Sequence, residues 1–434
     1  MKKTFFRYIS SNMAAMAGLS AYILADTLFI SLAGGPAGIT VLNLALPLYS
    51  ILFALGSMIG IGSATAFSLR QAGGQGNTAH LFPHALQWQL LLALPFFLLG
   101  LVRPQLWLQW MGGDEEIVAM GTGYIRILLL GAPLFMTNYS FTAFARNDRA
   151  PARAMVATLS ASGFNILFDY LFVFPFGMGI AGAALATALA PVLSSAICST
   201  HLFSAKSTVG LRPSAFSLKE LLACCSLGIA AFVGEMSSAV TTTVYNFLLL
   251  GIAGNLAVAA YGIVANLALI AMALFNGISQ GLQPLVSASY GGGDRRALRG
   301  YMRMGLLTTL ALEALLLALA WGFTPALTGI FNHGGDALLK AYSEPALRLY
   351  SLGFLFAGLN LLLTGMFSAV GLSLPASVMS LLRGAVAIVG FSIPMAKLWG
   401  LSGIWLSFPA AEALTLAVGI CFLYRSRAFL FTKS

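Results

Sequence analysis

Charge is scarce in this sequence. Only 8% of its 434 residues are Asp, Glu, Lys or Arg, against about 25% in an ordinary soluble domain. That excludes a water-soluble globular chain. Cysteine is scarce too. Cys198, Cys224, Cys225 and Cys421 lie in or beside apolar stretches, with no disulfide framework and no Cys-x-x-Cys spacing for zinc. The four histidines, His80, His84, His201 and His333, are scattered near the ends of apolar runs, and no His-Glu-x-x-His occurs. No Walker A sequence is present, so ATP is not the direct energy source. Gly177 to Gly182 fits Gly-x-Gly-x-x-Gly letter by letter. It follows an apolar helix rather than a strand, so it is no dinucleotide fingerprint. Asn138-Tyr139-Ser140 matches a glycosylation sequon inside an apolar run. Nothing suggests an enzyme.

Apolar residues make up 59% of the chain. They fall in long continuous runs, not in the alternating ~10-residue units of a barrel. Twelve spans are expected: 10–33, 41–68, 83–102, 118–143, 152–174, 178–203, 222–250, 256–288, 301–322, 344–369, 376–396 and 400–424. The fold class is an all-α polytopic membrane protein. The net charge of +10 is a matter of topology. Most Lys and Arg, including Lys2, Lys3, Arg7, Arg70, Arg146, Arg212, Lys219, Arg295, Arg296, Arg299, Arg303, Arg427 and Lys433, sit in alternate loops and the two tails. The opposite loops hold few, beside the acidic Asp114-Glu115-Glu116. This positive-inside pattern puts both termini in the cytoplasm. No basic face interleaved with aromatics appears, so nucleic acid is not a partner. The basic start before an apolar run resembles a signal peptide. Asp26 interrupts that run and no small-residue cleavage site follows, so it reads as an uncleaved first span.

The chain repeats itself. Gly179-Ile180-Ala181-Gly182 enters the sixth span and Gly400-Leu401-Ser402-Gly403 the twelfth, 221 residues later. Pro151 and Pro375 open the fifth and eleventh spans, 224 residues apart. Gly73-Gly74-Gln75-Gly76-Asn77 follows the second span, as Gly291-Gly292-Gly293-Asp294 follows the eighth. Two six-helix, pseudo-symmetric lobes are expected, 1–210 and 211–434, joined by a linker containing Arg212 and Pro213. An even number of spans per lobe makes the repeat parallel. Tandem lobes of this kind suit alternating access.

Two carboxylates lie at membrane depth. A charge there costs roughly 2.5–3.5 kcal/mol on insertion scales. Asp26 sits in the first span, with Tyr22 one turn before it. Asp169 ends a stripe in the fifth, Thr158, Ser162, Asn165 and Asp169, whose spacings of 4, 3 and 4 keep one helical face. Thr187 in the sixth span can add a hydroxyl. Oxygen ligands with two carboxylates suit Na⁺ or a proton. At the 224-residue offset Asn165 maps to Val389 and Asp169 to Ile393, so the second half lacks this stripe. It carries Glu235, Ser238, Thr242 and Asn246 on the seventh span instead, and Glu313 and Glu412 elsewhere. Tyr22, Asn138, Glu235, Gln283, Asn360 and Glu412 are candidates for substrate contact or a second coupling role. Glu313, amid Ala and Leu, reads as pairing with a neighbouring helix.

Four segments carry a family resemblance: Ala25 to Ile30, Asn165 to Asp169, Gly182 to Thr187, and Gly281 to Val286 before Tyr290-Gly291. In this order and 6+6 frame the chain resembles the multidrug and toxic compound extrusion (MATE) transporters, over essentially its whole length. The resemblance implies twelve helices in two lobes around a V-shaped cavity, and export of organic cations against inward Na⁺ or H⁺. In the bacterial NorM-like and DinF-like branches it implies a cation site at Asp26, Asn165, Asp169 and Thr187. Glu235 resembles the seventh-helix acid of NorM-like members. Their tenth-helix acid is missing here, where Asn360, Thr364 and Ser368 stand. The chain is expected in a bacterial cytoplasmic (inner) membrane, as a monomer. Its partners would be amphiphilic or cationic small molecules and the bilayer, with no cofactor unless Na⁺ drives it. The alternative is a lipid-linked precursor flippase of the same superfamily. That would need cavity cations, for which Arg126 and Arg383 are the in-span candidates.

Overall fold

The structure is a computed structural model that describes the chain apart from residues 75–77, 203, 211–214, 331–336 and 432–434, and apart from the side chains at 36, 202, 238, 239, 255 and 427–431. Gln75, Gly76, Asn77, Arg212, Pro213, His333 and Lys433, and the side chains of Ser238 and Arg427, therefore lie outside the described residues.

Every regular element among the described residues is helical. In hydrocarbon a backbone N–H finds no water, and a helix answers it within the segment. The long helices are α1 (Lys2–Gly35), α2 (Ala37–Ala72), α3 (Leu81–Val102), α4 (Glu115–Asn147), α5 (Pro151–Val173), α6 (Gly179–His201), α7 (Leu218–Gly254), α8 (Leu256–Gly291) and α9 (Arg295–Gly322). Helices Ala337–Ser351 and Phe354–Ala369, bent by 46°, form one broken span, α10. The apolar stretch Ser373–Ser426 breaks at Gly400, where φ is 57° and ψ −133°. It divides there into α11 (373–399) and α12 (401–426). Ten stretches pass by length and apolarity and the bent pair adds an eleventh; the break at Gly400 gives the expected twelfth. Asp114 and Asp294 cap the starts of α4 and α9, accepting from Ile117 N (2.9 Å) and Ala297 N (2.8 Å).

The tandem repeat is written in backbone stereochemistry. Positive φ occurs in pairs about 220 residues apart: Gly35 with Gly254, Gly74 with Gly293, Arg149 with Gly371, and Gly179 with Gly400. Gly35 (φ 55°, ψ −148°) and Gly254 (φ 69°, ψ −160°) occupy a region that only glycine enters cheaply. Each lets one span reverse into the next. Arg149 does with a side chain what Gly371 does without one.

By internal contacts the chain forms two compact units. The first unit is Ser10–Glu235 and the second is Met236–Ser434 together with Met1–Ile9. The division thus falls inside α7 and not in the linker near 210. The start of α7 is tied to α2: a Cβ on Gly228 would lie within 3 Å of the Met58 backbone, and Arg70 pairs with Glu220 at 2.6 Å. The first unit's core includes Leu48, Tyr124, Leu128, Met136 and Ala184. The second unit's core includes Tyr245, Phe275, Trp405 and the stacked rings of Tyr350 and Phe408, 4.2 Å apart. Buried Asp148 fastens the segment after α6, meeting His201 Nε2 (2.7 Å) and accepting from Ser207 Oγ (3.1 Å) and Thr208 N (3.0 Å).

Gly254→Ala isolates the backbone effect, since an added Cβ there meets no atom within 4 Å. It should cost about 1–3 kcal/mol and lower the thermal midpoint of the purified protein. An unchanged midpoint would remove the steric reading of the α7–α8 reversal.

Candidate functional site

Three helices of the first unit converge on one buried polar cluster. The α5–α6 hairpin is drawn tight at Gly182, where a Cβ would lie 2.8 Å from the Phe172 carbonyl carbon. α1 presses on α5 at Gly18, where a Cβ would meet Leu159 at 2.5 Å. With no lipid driving force between helices, small residues at such crossings let backbones approach. Asp26 follows two turns after Gly18, and Asn165 and Thr187 lie on either side of the hairpin contact.

Asp169 is fully buried at 0% exposure and Asp26 nearly so at 9%; Asn165 and Thr187 are buried with them. The Asn165 amide sits between Asp169 and Thr187. In the orientation that satisfies every partner, its nitrogen donates to Asp169 Oδ2 (3.1 Å). Its oxygen then accepts from Thr187 Oγ1 (3.0 Å) and from the Thr187 N–H (3.2 Å). The Asp26 carboxylate is in hydrogen-bonding range of both Asp169 and Thr187. Among the described residues, Asp26 Oδ1 and Asp169 Oδ1 accept no hydrogen bond. Two carboxylates in contact, each with an unanswered oxygen, need a proton or a cation between them in a low-dielectric interior. The donor set is all oxygen and hard, which fits Na⁺ or H⁺ and not a soft metal.

The other predicted residues are placed less tightly. Tyr22 is half-buried, one turn from Asp26, and lies in electrostatic range of Asp26, Asp169 and Glu235. Glu235 is half-buried and makes no hydrogen bond or ion pair among the described residues. Asn138 accepts from Ser195 Oγ at 3.3 Å. Gln283, Asn360 and Glu412 are buried in the second unit. Glu313 accepts the Leu359 N–H at 2.8 Å, the helix-to-helix contact expected of it.

Glu412 is committed to a different partner. Its Oε1 accepts from Arg383 Nη2 at 2.8 Å, and its Oε2 from Asn360 Nδ2 at 2.7 Å. Arg383 sits in a single π-turn of α11, Leu382–Val386, a local widening often found at functional positions. The sequence showed Arg383 only as an in-span cation, and its partner is not legible there. One signal was missed. Asp26 and Thr187, advanced by 219 and 220 residues, fall on Tyr245 and Ser407, which share a hydrogen bond at 2.9 Å. The second unit keeps the position of the first unit's site without its carboxylates.

A family model described as MatE matches residues 13–171 and 230–396. The chain is 26% identical over 412 residues to the multidrug export protein MepA of Staphylococcus saprophyticus, covering 94% of this chain and 90% of that protein. It is also 26% identical over 403 residues to MepA of Staphylococcus aureus, covering 90% and 86%. Among solved structures, the outward-facing conformation of a multidrug resistance MATE family transporter of the MOP superfamily matches with TM-score 0.92. It is 23% identical, with 100% of this chain and 97% of that one covered. A MOP superfamily transporter from Pyrococcus furiosus, described as having a binding pocket of reverse polarity, matches with TM-score 0.90 at 23% identity, covering 100% and 97%.

Gly182→Val should force α5 from α6 and cost about 1–3 kcal/mol, while Gly163→Val, where a Cβ meets open space, serves as the neutral control. Equal thermal midpoints for the two would show that the hairpin contact is not tight. Arg383→Ala strands the buried Glu412 and should cost about 3–5 kcal/mol. The double change Arg383→Met with Glu412→Gln should recover most of that stability in the same melting assay.

Proposed function

The chain belongs to the MatE family, and from that premise we propose that it is a secondary antiporter exporting amphiphilic or cationic compounds in exchange for inward Na⁺ or H⁺. The observation that carries this reading is the buried oxygen cluster of Asp26, Asn165, Asp169 and Thr187, with one unanswered oxygen on each carboxylate. The named relatives are multidrug export proteins, which supports an efflux substrate of the same broad class.

In this reading the site faces outward and takes up the ion between the two carboxylates. Asn165 holds Asp169 and Thr187 in register, so that ion entry requires little rearrangement. The filled site favours substrate release and the return to the inward-facing state, where the ion leaves and substrate binds. The coupling is only as large as the difference in affinity that ion and substrate show for the two states. The working form is a transporter of the bacterial cytoplasmic membrane with both termini inside, and it has no catalytic residues. The flippase alternative needs free cations within the bundle. Arg383 is held by Glu412 and Arg126 is exposed on α4, so neither favours it.

Reconstituted in liposomes, the protein should accumulate a fluorescent organic cation under an imposed Na⁺ gradient or an imposed pH gradient. Asp26→Asn and Asp169→Asn should each lower gradient-driven transport by about 10–100-fold with the protein still inserted. Full transport by both single variants would overturn the proposal.

A further inference from the structure

We propose that a groove between the N-terminal segment and α9, within the second unit, is a binding site for an anionic phospholipid of the cytoplasmic leaflet. This rests on the reading that both termini face the cytoplasm.

The first nine residues pack with the second unit. Phe5, Tyr8 and Ile9 are buried along one face of α1. The chain is held at two close crossings. A Cβ on Gly281 would lie 2.9 Å from Tyr8 O, and one on Gly300 would lie 2.6 Å from Met1 Sδ. Beside this contact runs a groove of about 230 Å³ lined by Lys2, Phe5, Phe6, Met304, Leu307 and Thr308. It is smaller than the roughly 300–1,000 Å³ of drug-sized pockets, and its walls are almost wholly apolar. An acyl chain fits that description better than a polar solute.

The charges stand where a headgroup would be. Both helices run from the cytoplasmic surface inward, and each sets a cation one turn ahead of a groove residue: Lys2 before Phe6 on α1, Arg303 before Leu307 on α9. Arg296 and Arg299 continue the exposed basic face of α9 outward from Arg303. Among the described residues Lys2, Arg296 and Arg303 have no carboxylate partner. The nearby Asp294 is spent on capping α9. A basic mouth over an apolar groove at the anionic leaflet complements a lipid with net negative charge. A zwitterionic lipid offers the same chain without that charge.

Basic residues at this surface contribute roughly fivefold each to binding an anionic lipid. The test is native mass spectrometry of the purified full-length protein, titrated with phosphatidylglycerol and with phosphatidylcholine of identical chains. The wild type should retain phosphatidylglycerol preferentially. The triple variant Lys2→Ala, Arg299→Ala, Arg303→Ala should lose about 100-fold of that preference. Leu307→Trp fills the groove with all charges in place and should also release the lipid, which covers the case of a triple variant that fails to fold. Equal retention of the two lipids, or competition by inorganic phosphate as effective as by phosphatidylglycerol, would overturn the proposal. Orientation is read separately, by labelling Arg299→Cys in a background without native cysteines with an impermeant maleimide. Labelling from outside would refute the cytoplasmic assignment while a lipid preference in detergent still stood.

Discussion

A carboxylate removed from water must be answered by something, and how each buried acid is answered organises this molecule. In the first unit Asp26 and Asp169 face one another, with one amide and one hydroxyl between them. Each is left with an oxygen that no protein group satisfies. In the second unit Glu412 is met by a guanidinium and an amide, and Glu313 by a peptide N–H. One set of acids is finished by the protein. The other is finished only when an ion arrives. That difference distinguishes a site from a strut among residues that look alike in a hydropathy plot.

Helix packing makes the difference possible. Gly182 brings α6 onto the Phe172 backbone and Gly18 brings α1 onto α5. The polar groups then meet without long side chains having to reach. Short side chains held by close backbones lose little rotamer freedom on binding an ion, which keeps the cluster preorganised.

Much of this was legible in the sequence because the bilayer enforces simple rules. Continuous apolar runs gave the spans, and the 4-3-4 spacing of Thr158, Ser162, Asn165 and Asp169 put the last two on one face, where they are found buried together. The Gly179/Gly400 offset proved to be one of a series of paired positive-φ residues. What was not legible depends on contacts between helices distant in sequence. Nothing local to Arg383 announces that it reaches Glu412, 29 residues on, through a π-turn. Nothing in α7 marks where its packing passes from one unit to the other. That point is set by Gly228 on α2 and the Arg70–Glu220 pair, not by a break in composition. The Tyr245–Ser407 bond was within reach of the repeat arithmetic. It was missed because the search at that offset looked for acids.

The Arg383–Glu412 pair has an electrical consequence. Moving one elementary charge across 100 mV is worth about 2.3 kcal/mol. A guanidinium and a carboxylate held 2.8 Å apart move together as a dipole with no net charge, so the transmembrane voltage does almost no work on them. The Asp26–Asp169 site changes its net charge each time an ion enters or leaves. The membrane potential therefore acts on the first unit's site and is nearly blind to the second unit's ion pair. Current recorded during turnover would report the filling of one cluster of four residues.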